Sequence, residues 1–162
     1  MPQGRPEIIE LLNDVLTAEL TAINQYFGHY RILGNWGFER LAERAREESI
    51  DEMKHADEVI DRILYLEGHP NLQRLGPVRL GEDPVETLRL DLDLEHEAVE
   101  RLNRGIALAV ELGDNGTREL LADILTDEEE HVDWLETQLD LVERLGANTY
   151  LAQQLHDDGD GD

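Results

Sequence analysis

The placement of proline constrains this chain more than any other feature. The five prolines stand at positions 2, 6, 70, 77 and 84. Inside a helix a proline removes a hydrogen bond and clashes with the preceding turn. The intervals 7–69 and 85–162 are free of it, and both carry apolar residues at helical spacing. Each interval is also broken once near its middle by a glycine-rich turn, GNWG at 34–37 and GDNG at 113–116. The pattern predicts helix one from about Pro6 to Leu33, on Leu12, Val15, Leu16 and Ile23, and helix two from about Phe38 to Leu66. Asp83, Pro84 and Glu86 read as an N-cap, a first-turn proline and the closing residue of a capping box. Helix three follows to about Leu112, helix four to about Leu145, and a short fifth segment spans 147–155. The stretch 67–84 holds three prolines and three glycines interleaved with Leu72, Leu75, Val78 and Leu80. It reads as an ordered crossover packed on the helices. The expected fold is therefore all-α: a four-helix bundle with one long crossover between helices two and three and a short C-terminal fifth helix. One bundle domain is expected over 1–156, followed by a disordered acidic tail at 157–162.

Charge narrows the partners. With 38 acidic and 14 basic side chains the chain carries −24, which repels nucleic-acid phosphates and anionic membrane surfaces. No apolar run approaches the ~20 residues that span a bilayer. The opening MPQGRPEII lacks the apolar core of a signal peptide, so the expected compartment is the cytoplasm. The absence of cysteine excludes disulfides, thiolate metal sites and a cysteine nucleophile. Of the basic residues only Lys54 is lysine. Acidity with so little lysine fits a salt-rich cytoplasm, and GC-rich codon usage would produce the same bias.

Two strings share the form D-E-x-x-H-x-D: one at 51–57, the other at 127–133. A Glu and a His three apart lie on one helix face and can share a metal. One such pair carries little weight. The long-range spacing carries more, because Glu52 and Glu128 are 76 residues apart and so are Glu19 and Glu95. Glu19 and Glu52 are equidistant from the first turn, and Glu95 and Glu128 nearly so from the second. In antiparallel hairpins each pair is level, roughly 25 Å from its turn at 1.5 Å per residue. Glu19, Glu95 and Glu128 continue apolar stripes, while Glu52 is less clearly flanked, with Glu48 and Ser49 breaking its stripe. A carboxylate facing a core is costly unless paired. Four carboxylates with two neutral histidines carry −4, and two divalent cations supply +4. Oxygen-rich ligation with one imidazole per metal suits iron or manganese. The expected sets are Glu19, Glu52 and His55 on one metal and Glu95, Glu128 and His131 on the other, with Glu52 and Glu128 bridging. His29, His69, His96 and His156 read as surface or packing residues. Asp57 and Asp133 either orient the histidines or are solvated.

Beyond these residues, LTAINQYF at 20–27, NWG at 35–37, ESIDEMKHAD at 48–57, LEGHPNL at 66–72 and DEEEHVDWLE at 127–136 resemble the bacterioferritins. The resemblance covers nearly the whole chain. It implies a ferritin-like bundle, a hollow homo-oligomeric cage of 24 subunits, and oxidation of ferrous iron by dioxygen or peroxide at a dinuclear centre, with ferric iron stored inside. Its metal ligands fall on the same six residues. It also implies haem b between paired subunits, with Met53 as axial ligand, a ferredoxin-type reductant for iron release, and an electron-supplying tyrosine at Tyr26. An accessory inner-surface iron site would fall on Glu47 and Asp51, with Glu47 where some members carry histidine. A second tyrosine of the family is Val59 here. Trp36 and Trp134 match as well, as packing or redox residues. A non-catalytic haem-binding cage subunit and an erythrin-type peroxidase are the rival readings. The six intact ligand positions weaken the first, and the lack of cysteine weakens the second.

Overall fold

The computed structural model describes residues 4–155, and its order is α1 (Pro6–Trp36), α2 (Glu39–Tyr65), α3 (Pro84–Glu111), α4 (Asn115–Leu145) and α5 (Ala147–Ala152). The expected tail at 157–162 lies outside the described residues. The two hairpins α1/α2 and α3/α4 form the most extensive packing, and they meet through α1 against α3 and α2 against α4. This is the expected four-helix bundle with a single crossover. Among the described residues no helix is long and apolar enough to cross a membrane.

Helix ends follow local chemistry. α1 runs three residues beyond its expected end, because Gly34 remains helical and it is Gly37 that takes a left-handed φ of 95°. The N–H groups of Gly37 and Phe38 then close on the carbonyls of Gly34 and Leu33. Gly113, with φ 73°, ends the second hairpin's first helix in the same way. At α3 the Asp83 carboxylate accepts from the Glu86 N–H at 2.9 Å, as a capping residue should. Glu86 reaches back to the N–H of Glu82, one residue before the expected partner. At α4, Asp114 accepts from the backbone and hydroxyl of Thr117, while Arg62 donates to both Asp114 and Thr117. These bonds outweigh the partial burial of Asp114 and hold its carboxyl below the usual range. The end of α2 is thereby tied to the start of α4.

The core is divided. One apolar cluster, including Leu12, Leu16, Val59, Ile63, Leu102 and Leu121, fills the half nearer the α1 start. A second, including Leu33, Leu41, Leu88, Leu135 and Tyr150, fills the other half. Each buried aliphatic side chain contributes roughly 1.5–3 kcal/mol. Between the two clusters lies a layer of buried polar and charged groups, so apolar packing on both sides offsets the cost of burying it.

The crossover is ordered along α1, but Leu72, Leu75, Val78 and Leu80 are exposed, against the expectation that they would pack. Polar groups hold it instead. Asn13, Thr17, Thr21, Gln25 and His29, four residues apart on α1, bond in turn to the backbone of Asn71, the Arg74 side chain, and the backbone of Gly76, Arg79 and Gly81. An extended segment has unpaired N–H groups, and this row of acceptors satisfies them. The last rung is the tightest, since a Cβ on Gly81 would sit 2.7 Å from the Thr87 backbone nitrogen. Gly81→Ala should therefore destabilise the bundle by about 2 kcal/mol in urea unfolding, with the m-value unchanged.

Candidate metal centre

All six residues derived from the spacing converge in the mid-bundle layer. Glu19, Glu52, His55, Glu95, Glu128 and His131 are each at most 5% exposed. Their donor atoms form two overlapping groups: Glu19, Glu52, His55 and Glu128, and Glu52, Glu95, Glu128 and His131. Within each group the atoms lie within 4.8 Å of one another. Glu52 and Glu128 belong to both, the two glutamates expected to bridge. His55 Nδ1 is 3.6 Å from both Glu19 and Glu52. His131 Nδ1 is 2.9 Å from Glu95 and 3.1 Å from Glu128.

The layer is not satisfied by its own hydrogen bonds. Glu19 Oε2, Glu52 Oε1, His55 Nδ1, Glu95 Oε1 and both oxygens of Glu128 are buried without a hydrogen-bond partner among the described residues. Orphaned acceptors on this scale cost free energy unless a cation sits among them. Ionisation responds accordingly. Burial, reinforced by the charge of Glu128, pushes Glu95 up to about 8 against the bonds from His131 and Tyr26. Burial and the neighbouring Glu19 and Glu128 push Glu52 up as well. Burial opposes charge on His55, but Glu19 and Glu128 outweigh it and raise it to about 9. Glu128, Glu48 and Glu95 likewise outweigh burial and hold His131 far above its ordinary range.

Around this layer stand Asp127 and Glu48, which the sequence reading did not assign, together with Asp51 and Tyr26, which it did. His55 Nε2 bonds Asp127 at 2.8 Å. His131 Nε2 is 2.5 Å from Glu48 and 3.6 Å from Asp51. Each aspartate that opens one D-E-x-x-H string thus faces the histidine of the other. That reciprocity was available in the strings, whereas Asp57 and Asp133, the residues weighed for the role, are exposed. Tyr26 is 2% exposed and donates to Glu95 at 2.5 Å. Burial and the charges of Glu95 and Asp91 hold its phenol well above its usual value. Beyond Tyr26, a buried cluster joins His29 and Gln25 to Asp91 at 2.9 and 3.0 Å. His29 is therefore a buried polar anchor. Burial raises Asp91 against the bonds from His29 and Gln25.

From outside, a groove of about 870 Å³ between α1 and α3 reaches Glu19, Glu52, Glu95 and Glu128. A separate cavity of about 420 Å³ is lined by Glu47, Glu48, Asp51, Asp127 and His131. Asp51 groups with Glu48 and His131 there, and Glu47 lies outside that group. Met53, next to Glu52, turns away from the centre and is 57% exposed.

The sequence profile of the ferritin-like domain matches residues 9–145. Bacterioferritin of Mycobacterium leprae is 52% identical over 151 residues, 93% of this chain and 95% of that protein. Bacterioferritin BfrA of Mycobacterium tuberculosis is 50% identical with the same coverage. The chain belongs to the bacterioferritins. Bacterioferritin of Rhodobacter capsulatus, 50% identical over 91% of this chain, extends the likeness beyond the mycobacteria. In this bacterioferritin the family match spans all four long helices, and so includes every residue of the mid-bundle layer.

Proposed function

We propose that this chain stores iron and oxidises it, acting as a ferroxidase at the mid-bundle layer. Ferrous iron is the substrate. Glu19, Glu52, His55 and Glu128 would hold one ion, and Glu52, Glu95, Glu128 and His131 the other. The observation that carries this reading is the set of buried, unpartnered carboxylate oxygens in two groups sharing Glu52 and Glu128. Two divalent ions balance four carboxylates, and the charge gained on oxidation stays among anionic groups that can change their binding mode. The electrons pass to dioxygen or peroxide. No nucleophile or general base of the protein is needed. The groove between α1 and α3 gives ferrous ions a path to the four glutamates. Tyr26, hydrogen-bonded to Glu95, is placed to supply an electron. Asp51, with Glu47 beside it, would take iron on the way to or from the store.

The wider reading is a cytoplasmic cage of 24 copies built from haem-bridged pairs, emptied by a ferredoxin-type reductant. Haem b would be held at Met53. Its side chain is exposed and spends nothing on its own bundle, as a ligand presented to a second copy must be. When bound, haem supplies a one-electron carrier at the subunit boundary. Metal-free protein mixed aerobically with ferrous iron tests the central claim. Two ions per chain should be oxidised in a fast phase, followed by slower accumulation of ferric iron. Oxidation no faster than in protein-free buffer sinks the ferroxidase reading.

A further inference from the structure

The two histidines of the centre are held from outside in unequal ways. Each turns Nδ1 toward the carboxylate layer and Nε2 toward a carboxylate beyond it. The partner of His55 is Asp127, whose side chain is 54% exposed. The partner of His131 is Glu48, whose side chain is 7% exposed and whose two oxygens are divided between two neighbours. Oε2 lies 2.5 Å from His131 Nε2 as an ion-pair contact and is buried with no hydrogen-bond partner among the described residues. Oε1 accepts from Arg44 Nε at 2.7 Å. The Arg44 guanidinium in turn lies 4.3 Å over the ring of Trp134, three residues after His131 on α4. The chain of contacts Trp134–Arg44–Glu48–His131 therefore begins and ends on the same helix.

An imidazole binds a metal only through a nitrogen that carries no hydrogen. The nitrogen facing Glu52, Glu95 and Glu128 is Nδ1, so the ring hydrogen must reside on Nε2. A carboxylate oxygen only accepts, and placed at Nε2 it selects that tautomer. A cation stacked on an aromatic face is itself restrained. We propose that Glu48, its other oxygen held by Arg44, is a positioning residue that fixes the tautomer of His131. This inference rests on the dinuclear reading above.

Glutamine at 48 turns the device against itself. Its amide has one accepting oxygen and one donating nitrogen. With Arg44 in place, the oxygen is drawn to the Arg44 N–H and the amide nitrogen is left facing His131. That nitrogen donates to Nε2 and forces the ring hydrogen onto Nδ1, where the metal must bind. Without Arg44 the amide is free to turn its oxygen to the ring.

The test uses the assembled protein and Co²⁺, a redox-inert probe followed by calorimetry and visible absorbance. The wild type should bind two ions per chain. Glu48→Gln should weaken one of the two steps by about tenfold to a hundredfold and leave the other. Arg44→Ala keeps the Glu48 carboxylate and should change both steps little. The double variant Arg44→Ala/Glu48→Gln should recover most of the lost affinity. Asp127→Asn, whose exposed amide can turn freely, should have a small effect. A purely packing role gives the opposite order, with the double variant worse than either single one. Unchanged binding in Glu48→Gln, equal loss at both steps, or no recovery in the double variant overturns the proposal while leaving the dinuclear reading standing. A wild type that binds no pair of Co²⁺ ions overturns both.

Discussion

Glu128→Ala is expected to slow the fast phase of ferrous oxidation by more than about 100-fold while leaving the helical bundle folded. Losing a partner that merely orients a metal ligand costs tenfold to a hundredfold, and Glu128 offers donor atoms to both metal groups. No other change at one position except at Glu52 touches both halves of the centre. Glu128 is wholly buried inside one chain, so its loss should not disturb contacts between copies. The same residue makes a prediction of opposite sign for stability. In the metal-free chain its charge adds to the cost of ionising Glu52 and Glu95. The isosteric Glu128→Gln should therefore raise the metal-free melting temperature by about 3–6 °C while losing the fast phase. Stability gained together with activity lost marks a site assembled for a cation. A variant that loses stability and keeps its oxidation rate would show that Glu128 is a packing residue.

Much of this centre was legible in the sequence because its spacing is redundant. Glu19, Glu52, Glu95 and Glu128 satisfy two hairpin symmetries at once, and the two D-E-x-x-H strings repeat at the same interval. Glu48 was not legible. On the helical pattern it reads as a polar break in an apolar stripe, and only the approach of Arg44 and His131 from either side explains its burial. The row Asn13, Thr17, Thr21, Gln25 and His29 failed for a related reason. Polar residues every four positions look like a solvated helix face, and what distinguishes them is an extended segment 52 to 58 residues away that needs acceptors. The crossover leucines misled in the other direction. Apolar residues in an ordered segment suggested packing on the bundle, but the single chain leaves them exposed.

Metal-free protein should lose stability as pH rises, and metal should abolish the loss. Glu95, raised from an ordinary 4.5 to about 8, stabilises the fold fully only below the lower value. That contribution disappears as pH climbs through the higher one. Glu52 is shifted the same way. His55, raised from 6.5 to about 9, also favours the fold below 6.5 and ceases to do so as pH passes 9. The three act with one sign, so the decline should extend from about pH 4.5 to about pH 9. Melting temperatures between about pH 6 and pH 9 fall inside that span. Each kcal/mol lost there should lower the midpoint by about 2–4 °C. Divalent Co²⁺ needs the deprotonated ligands and displaces their protons on binding. The loaded protein should accordingly melt at a nearly constant temperature over this range, and its margin over the metal-free form should widen with pH. If the metal-free midpoint stays level from pH 6 to pH 9, the buried carboxylates are being neutralised by something other than a cation, and the charge argument for two metals fails with it.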